Sequence, residues 1–63
     1  MGLRRDTARA LSSALGHESR FVDAVAREIE LKRIKPKEGA RLIIAWYQDR
    51  DRLYRMIEHA LDT

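Results

Sequence analysis

Residues 36–61 read PKEGARLIIAWYQDRDRLYRMIEHAL, and the rest of the chain has to be arranged around them. Leu42, Ile43, Trp46, Leu53, Tyr54, Ile57, Ala60 and Leu61 fall on one side of a helical wheel turning about 100° per residue. Positions 43, 46, 50, 53, 57 and 60 keep the alternating three- and four-residue spacing of a short coiled-coil seam, over fewer than three heptads. Pro36 suits the first position of a helix, where its missing N–H costs nothing. The expectation is a long helix over 36–61, about 37 Å long at 1.5 Å per residue where it runs straight, with a bend near Asp49–Asp51 left open. Such a helix overhangs any shorter neighbour: it can cover both short helices laid end to end, or its free stretch can meet a second copy. Ile43, Trp46, Arg50, Leu53, Tyr54, Ile57 and Leu61 are the expected contacts. Arg50 is the exception in that seam. A charge there either reaches solvent from the stripe edge or pairs across the interface with an acid such as Asp49 or Glu18.

Two shorter helices precede it. Over 3–15, Leu3, Thr7, Ala10, Leu11, Ala14 and Leu15 share a face, and Gly16 is placed to end the helix in the left-handed conformation. Over 18–31, Phe21, Val22, Val25, Ala26 and Ile29 make a stripe, with Asp23–Arg27 and Glu28–Lys32 as i,i+4 ion pairs. Leu31 and Ile34 fall off this stripe. Either the helix ends near Glu30 or these two residues touch something else, and a short extended piece over 29–34 is a lesser alternative. The fold class expected is therefore all-α: a single compact domain over 1–63, two short helices and a long third, assembling as a helical-bundle homodimer.

Composition narrows the chemistry. With 63 residues and no Cys, the chain has neither a disulfide nor a thiolate metal site to stabilise a small core. Regular helix packing or association remains. No apolar run reaches the roughly 18 residues of a membrane span, and no signal-peptide layout is present, so a cytoplasmic location without membrane contact is expected. Catalysis lacks its parts. Ser19, His17 and Asp23 would have to form a triad on one short turn, which helix geometry does not allow. His17 and His59 have Glu only as an immediate neighbour, not at the Glu-x-x-His spacing of bundle metal sites. A non-enzymatic protein without metal or cofactor is the expectation.

Two polar features carry the functional reading. The formal net charge is +3, and five bases lie within ten residues at Lys32, Arg33, Lys35, Lys37 and Arg41, against the single acid Glu38. Lys32 and Arg33 suit a helix C-terminus, whereas Lys35 and Lys37 sit at a helix start, where the dipole already favours anions. Gly39 in the first turn would let an anion approach the backbone. The second feature is a loose helix-turn-helix pattern over 8–27, whose second helix would offer Ser19, Arg20 and Arg27 to bases. Asp23 and Glu18 on the same helix would repel phosphate. Two readings follow. One is an interaction module that self-associates through its C-terminal helix and offers the basic loop to an acidic protein surface. The other is a small dimeric DNA- or RNA-binding regulator using 32–41 and the 8–27 unit.

Overall fold

The computed structural model describes residues 3–62, and all regular structure among them is helical. Four helices follow one another: α1 (Arg5–Ser13), α2 (Glu18–Glu30), α3 (Pro36–Gln48) and α4 (Arg50–Asp62). Each packs on its neighbours in sequence, α4 packs onto α1, and the backbones of the diagonal pairs stay apart. Side chains show α2 and α3 to be antiparallel. Phe21 stacks on Trp46 at 6.1 Å between ring centroids, whereas Val25 and Ile29, further along α2, lie against Gly39, earlier in α3. The radius of gyration is 10.2 Å, close to the about 10.6 Å expected of a folded chain this long.

The long third helix is the main correction. The 36–61 stretch is two 13-residue helices meeting at Asp49, whose φ of −151° and ψ of 76° are not helical. Asp49 serves both sides of the break. Its N–H donates to Ala45 O at 2.8 Å, completing α3, and its carbonyl accepts from Leu53 N at 3.2 Å, starting α4. Its side-chain Oδ1 accepts from Arg52 N at 3.1 Å, the N-cap bond that satisfies an otherwise unpaired donor. In an unbroken helix the Arg50 N–H would donate to the Trp46 carbonyl. Here the Arg50 side chain takes that role, with Nε donating to Trp46 O at 3.1 Å. Its guanidinium lies 4.0 Å from the Trp46 ring centroid, a cation–π contact.

The break supplies what a lone long helix lacks, a cover for its second half. Leu53, Ile57 and Ala60 of α4 join Ala8 and Leu11 of α1 in one core with Phe21, Val25, Ile34, Leu42 and Trp46. Burying a side chain the size of Leu or Ile contributes about 1.5–3 kcal/mol. Two such side chains outweigh the few backbone bonds lost at the break. Within this core Thr7 Oγ1 and Trp46 Nε1 are buried without a hydrogen-bond partner, each costing on the order of 1–3 kcal/mol of desolvation.

The other turns also depart from expectation. Gly16 does not take the left-handed conformation, since no described glycine has positive φ. α1 ends instead on Ala14, at φ −102° and ψ −1°. The left-handed residue is Lys32, with φ 60°. It follows α2, where Lys32 N donates to Ile29 O at 2.9 Å and Arg33 N to Glu28 O at 3.0 Å. These are the two bonds of a Schellman motif, which normally places glycine where Lys32 stands. α2 thus ends at Glu30. Leu31 is exposed and Ile34 enters the core, with no strand over 29–34.

Candidate functional site

The antiparallel order puts the start of α1 and the turn between α2 and α3 at the same end of the molecule. Arg33 ties them together. Its Nη2 donates to Glu28 Oε2 at 3.1 Å and its Nε lies 3.1 Å from Glu28 Oε1, while Nη1 is 4.0 Å from Asp6 Oδ2 of α1. Glu28 is 1% exposed, so its carboxylate depends on Arg33 for the interactions that water would otherwise provide. Glu28 therefore pairs with Arg33 and not with Lys32. A Schellman turn usually carries an apolar contact between the residues that Arg33 and Glu28 occupy; here an ion pair spans them.

This arrangement sorts the expected anion-binding residues. Arg33 is committed to Glu28 and Asp6. Gly39 is closed to a ligand, because a Cβ there would lie 2.6 Å from Ile29 Cδ1 and 3.0 Å from Val25 Cγ1. Its small size serves close packing of α2 on α3, not an approaching anion. Arg41 is exposed but lines the groove between α3 and α4, with Ala45, Asp49 and Arg52. Lys32, Lys35 and Lys37 remain, all exposed and forming no ion pair with a described residue. Lys35 is the N-cap of α3 and gives it no side-chain cap bond. Arg4 and Arg5 are exposed at the start of α1, at the same end of the molecule. The sequence reading missed these two; the signal was a basic pair opening a helix antiparallel to α2. Acids interrupt this end, with Glu30 exposed and Glu38 half-buried one residue after Lys37.

The helix-turn-helix residues Ser19, Arg20 and Arg27 are exposed on α2. Arg20 and Arg27 line the α1–α2 groove together with Asp23, Ala10, Ser13 and Ala14. Along that side Arg20, Asp23, Arg27 and Glu30 alternate in sign, so the surface offers phosphate little net attraction.

The seam expected to join two copies lies largely within this chain. Leu53 and Ile57 are 0% and 1% exposed and Trp46 is 6% exposed. Ile43 and Leu61 are half-buried, and Tyr54 and Arg50 are exposed. Arg50 meets neither Asp49 nor Glu18; its head lies over Trp46. At this opposite end of the molecule the Tyr47 hydroxyl donates to Glu18 Oε1, joining α3 to α2. That hydrogen bond, then burial, then the charge of Glu18 raise the Tyr47 pKa above its ordinary 10.0.

Among the described residues, no three His, Cys, Asp or Glu side chains come together to hold a metal ion. No described helix is long and apolar enough to cross a membrane. No family model, curated protein or solved structure matches the chain.

Proposed function

We propose that the protein is a small non-enzymatic binding module whose basic end takes an acidic segment of a partner protein. The observation that carries this reading is the Asp6–Arg33–Glu28 cluster. It consumes one cation structurally and brings further charge to the same end, Arg4 and Arg5 at the start of α1, Lys32 and Lys35 in the turn and Lys37 in the first turn of α3. Five exposed cations on two rigid elements are drawn to carboxylates by long-range attraction, a strongly salt-dependent effect. The interruption by Glu30 and Glu38 favours a short acidic segment over a continuous phosphate backbone. The mixed charge along α2 likewise disfavours base reading by residues 8–27, so nucleic acid is the second reading.

Fluorescence anisotropy with a labelled acidic peptide and, separately, a labelled DNA duplex tests both. The acidic peptide binds at low salt and loses affinity as salt rises. Lys35→Glu/Lys37→Glu and Arg4→Glu/Arg5→Glu each weaken it by about tenfold, as expected when rim charges are reversed. Duplex binding with a log–log salt slope near −4, stronger than peptide binding, would establish the second reading instead. Salt-independent binding, or none of either probe, would remove both.

A further inference from the structure

We infer that the outer face of the α2–α3 pair docks a second copy of this chain, with the Glu18 end of each copy set against the Lys35 end of the other. The four helices differ sharply on their outer sides. α1 and α4 present charge, with Arg5, Asp6 and Arg9 exposed on one and Asp51, Arg55 and Glu58 on the other. α2 and α3 are charged along their outer flanks, through Arg20, Asp23, Arg27 and Glu30 on one and Lys37 and Arg41 on the other, but the strip between them is apolar: Val22, Ala26 and Ile29 on α2 run beside Ala40, Ile43 and Tyr47 on α3. Val22 and Tyr47 line one hollow at one end of this face, and Ile29 lies against Gly39 near the other. Helical spacing sets Ala26 and Ile43 between them. Ala26, Ala40 and Tyr47 are exposed and the other three half-buried. Ile44, 52% exposed, stands on the crest of α3 alongside.

Size and charge point to the occupant. Each helix is about 20 Å long and the pair about 20 Å wide, so the face spans roughly 400 Å². Two such faces bury about 800 Å² in total, which belongs to weak, concentration-dependent association. Small Ala26 and Ala40 at the centre let the helices of two copies approach closely. Charge lies at the ends of the midline. Glu18 is held between α2 and α3 by Tyr47 at one end, and Lys35, the N-cap residue of α3, lines a hollow with Ile29 at the other. A two-fold axis along the helices would set Glu18 on Glu18 and Lys35 on Lys35. An axis across them makes two Glu18–Lys35 pairs, so the electrostatics select the second arrangement. This interface lies on a different face from the proposed anion-binding end, shares only Lys35 with it, and leaves Arg4 and Arg5 outside.

Sedimentation equilibrium on the full chain, from about 10 μM to about 1 mM, reads the outcome directly. The mass rises with concentration from 7.4 kDa toward twice that value. Ala26→Gln/Ile44→Gln alters no charge and no buried side chain, and it weakens dimerisation by about tenfold or more. Its circular dichroism and its acidic-peptide binding at the basic end are those of the wild type, which separates failure of this interface from failure of that site. Glu18→Lys and Lys35→Glu each weaken the dimer, and the two together restore it. A mass that stays at 7.4 kDa throughout overturns the inference. So does dimerisation untouched by Ala26→Gln/Ile44→Gln but lost on Tyr54→Gln, which would return the contact to α4. A double charge reversal that fails to restore association overturns the head-to-tail arrangement.

Discussion

The chain reverses direction between α2 and α3 over Leu31–Lys35, and breaks between α3 and α4 at the single residue Asp49. The first turn is held by an ion pair that reaches into the interior, Glu28 to Arg33 and on to Asp6. The second is held at the surface, where Asp49 caps the helix ahead and Arg50 the helix behind. The difference teaches where a small helical protein places its specificity. A buried carboxylate tolerates one partner geometry and fixes one turn, whereas exposed caps only tip a balance that core burial has largely settled.

Breaking the first turn carries the largest expected effect. Arg33→Ala strands the Glu28 carboxylate. Loss of one partner of a buried pair costs about 3–5 kcal/mol, and the partial exposure of Arg33 reduces this to about 2–3 kcal/mol. Urea unfolding followed by Trp46 fluorescence measures it. Glu28→Leu/Arg33→Met, which removes both charges, recovers most of the loss; a double variant as unstable as the single one would show that the pair does not act through desolvation.

Breaking the second turn costs less. Asp49→Ala removes the bond to Arg52 N and lowers stability by about 1 kcal/mol on the same denaturation curves. A loss as large as that of Arg33→Ala would erase the distinction between the two turns.

The first turn also contains a defect that sharpens the comparison. Lys32 occupies a left-handed position suited to glycine. Lys32→Gly relieves that strain and raises the thermal midpoint, with a net gain of about 0.5–1 kcal/mol after the added freedom of the unfolded chain is counted. Lys32 is also one of the cations at the proposed binding end, so the same variant is expected to lose some affinity while gaining stability.

The smallest effect lies at the opposite end, beside Asp49. Tyr47 ionises above 10.0 because its neutral hydroxyl is bonded to Glu18. Its folded pKa exceeds the unfolded one, so this contribution to stability is intact below pH 10 and fades as pH rises through the raised value. Glu18→Gln brings the phenolate absorbance transition of Tyr47 back toward 10.0, and an unmoved transition would remove that hydrogen bond from the account.

The two turns were not equally legible in the sequence. The first announced itself through the lysines, Pro36 and the departure of Leu31 and Ile34 from the stripe. The second left little trace, because the three-and-four spacing of apolar residues runs through Asp49 without a change of phase. Asp49-Arg50-Asp51-Arg52 has the look of a solvated helix face, with neither glycine nor proline. Only the tertiary gain from seating Leu53 and Ile57 on α1 selects the break. At the candidate site, exposed lysines were legible because nothing else claims them. Arg33 was not, although Glu28 follows Phe21 and Val25 at the spacing that points into the core. The glycines were misread for a related reason. Gly39 answers to Val25 and Ile29 on another helix, and Gly16 has nothing within 4 Å that requires it.

The central claim is that residues 36–62 break at Asp49 into two helices that share one core within one chain. The chain has no native cysteine, so spin labels at Lys37→Cys and Asp62→Cys report this distance cleanly by pulsed electron resonance in dilute solution. The account predicts a clearly shorter separation than a straight helix gives, because α3 and α4 meet at a non-helical residue within a molecule measuring 24 × 24 × 19 Å. A distance near 37 Å, the length of about 25 residues of unbroken helix, would contradict it.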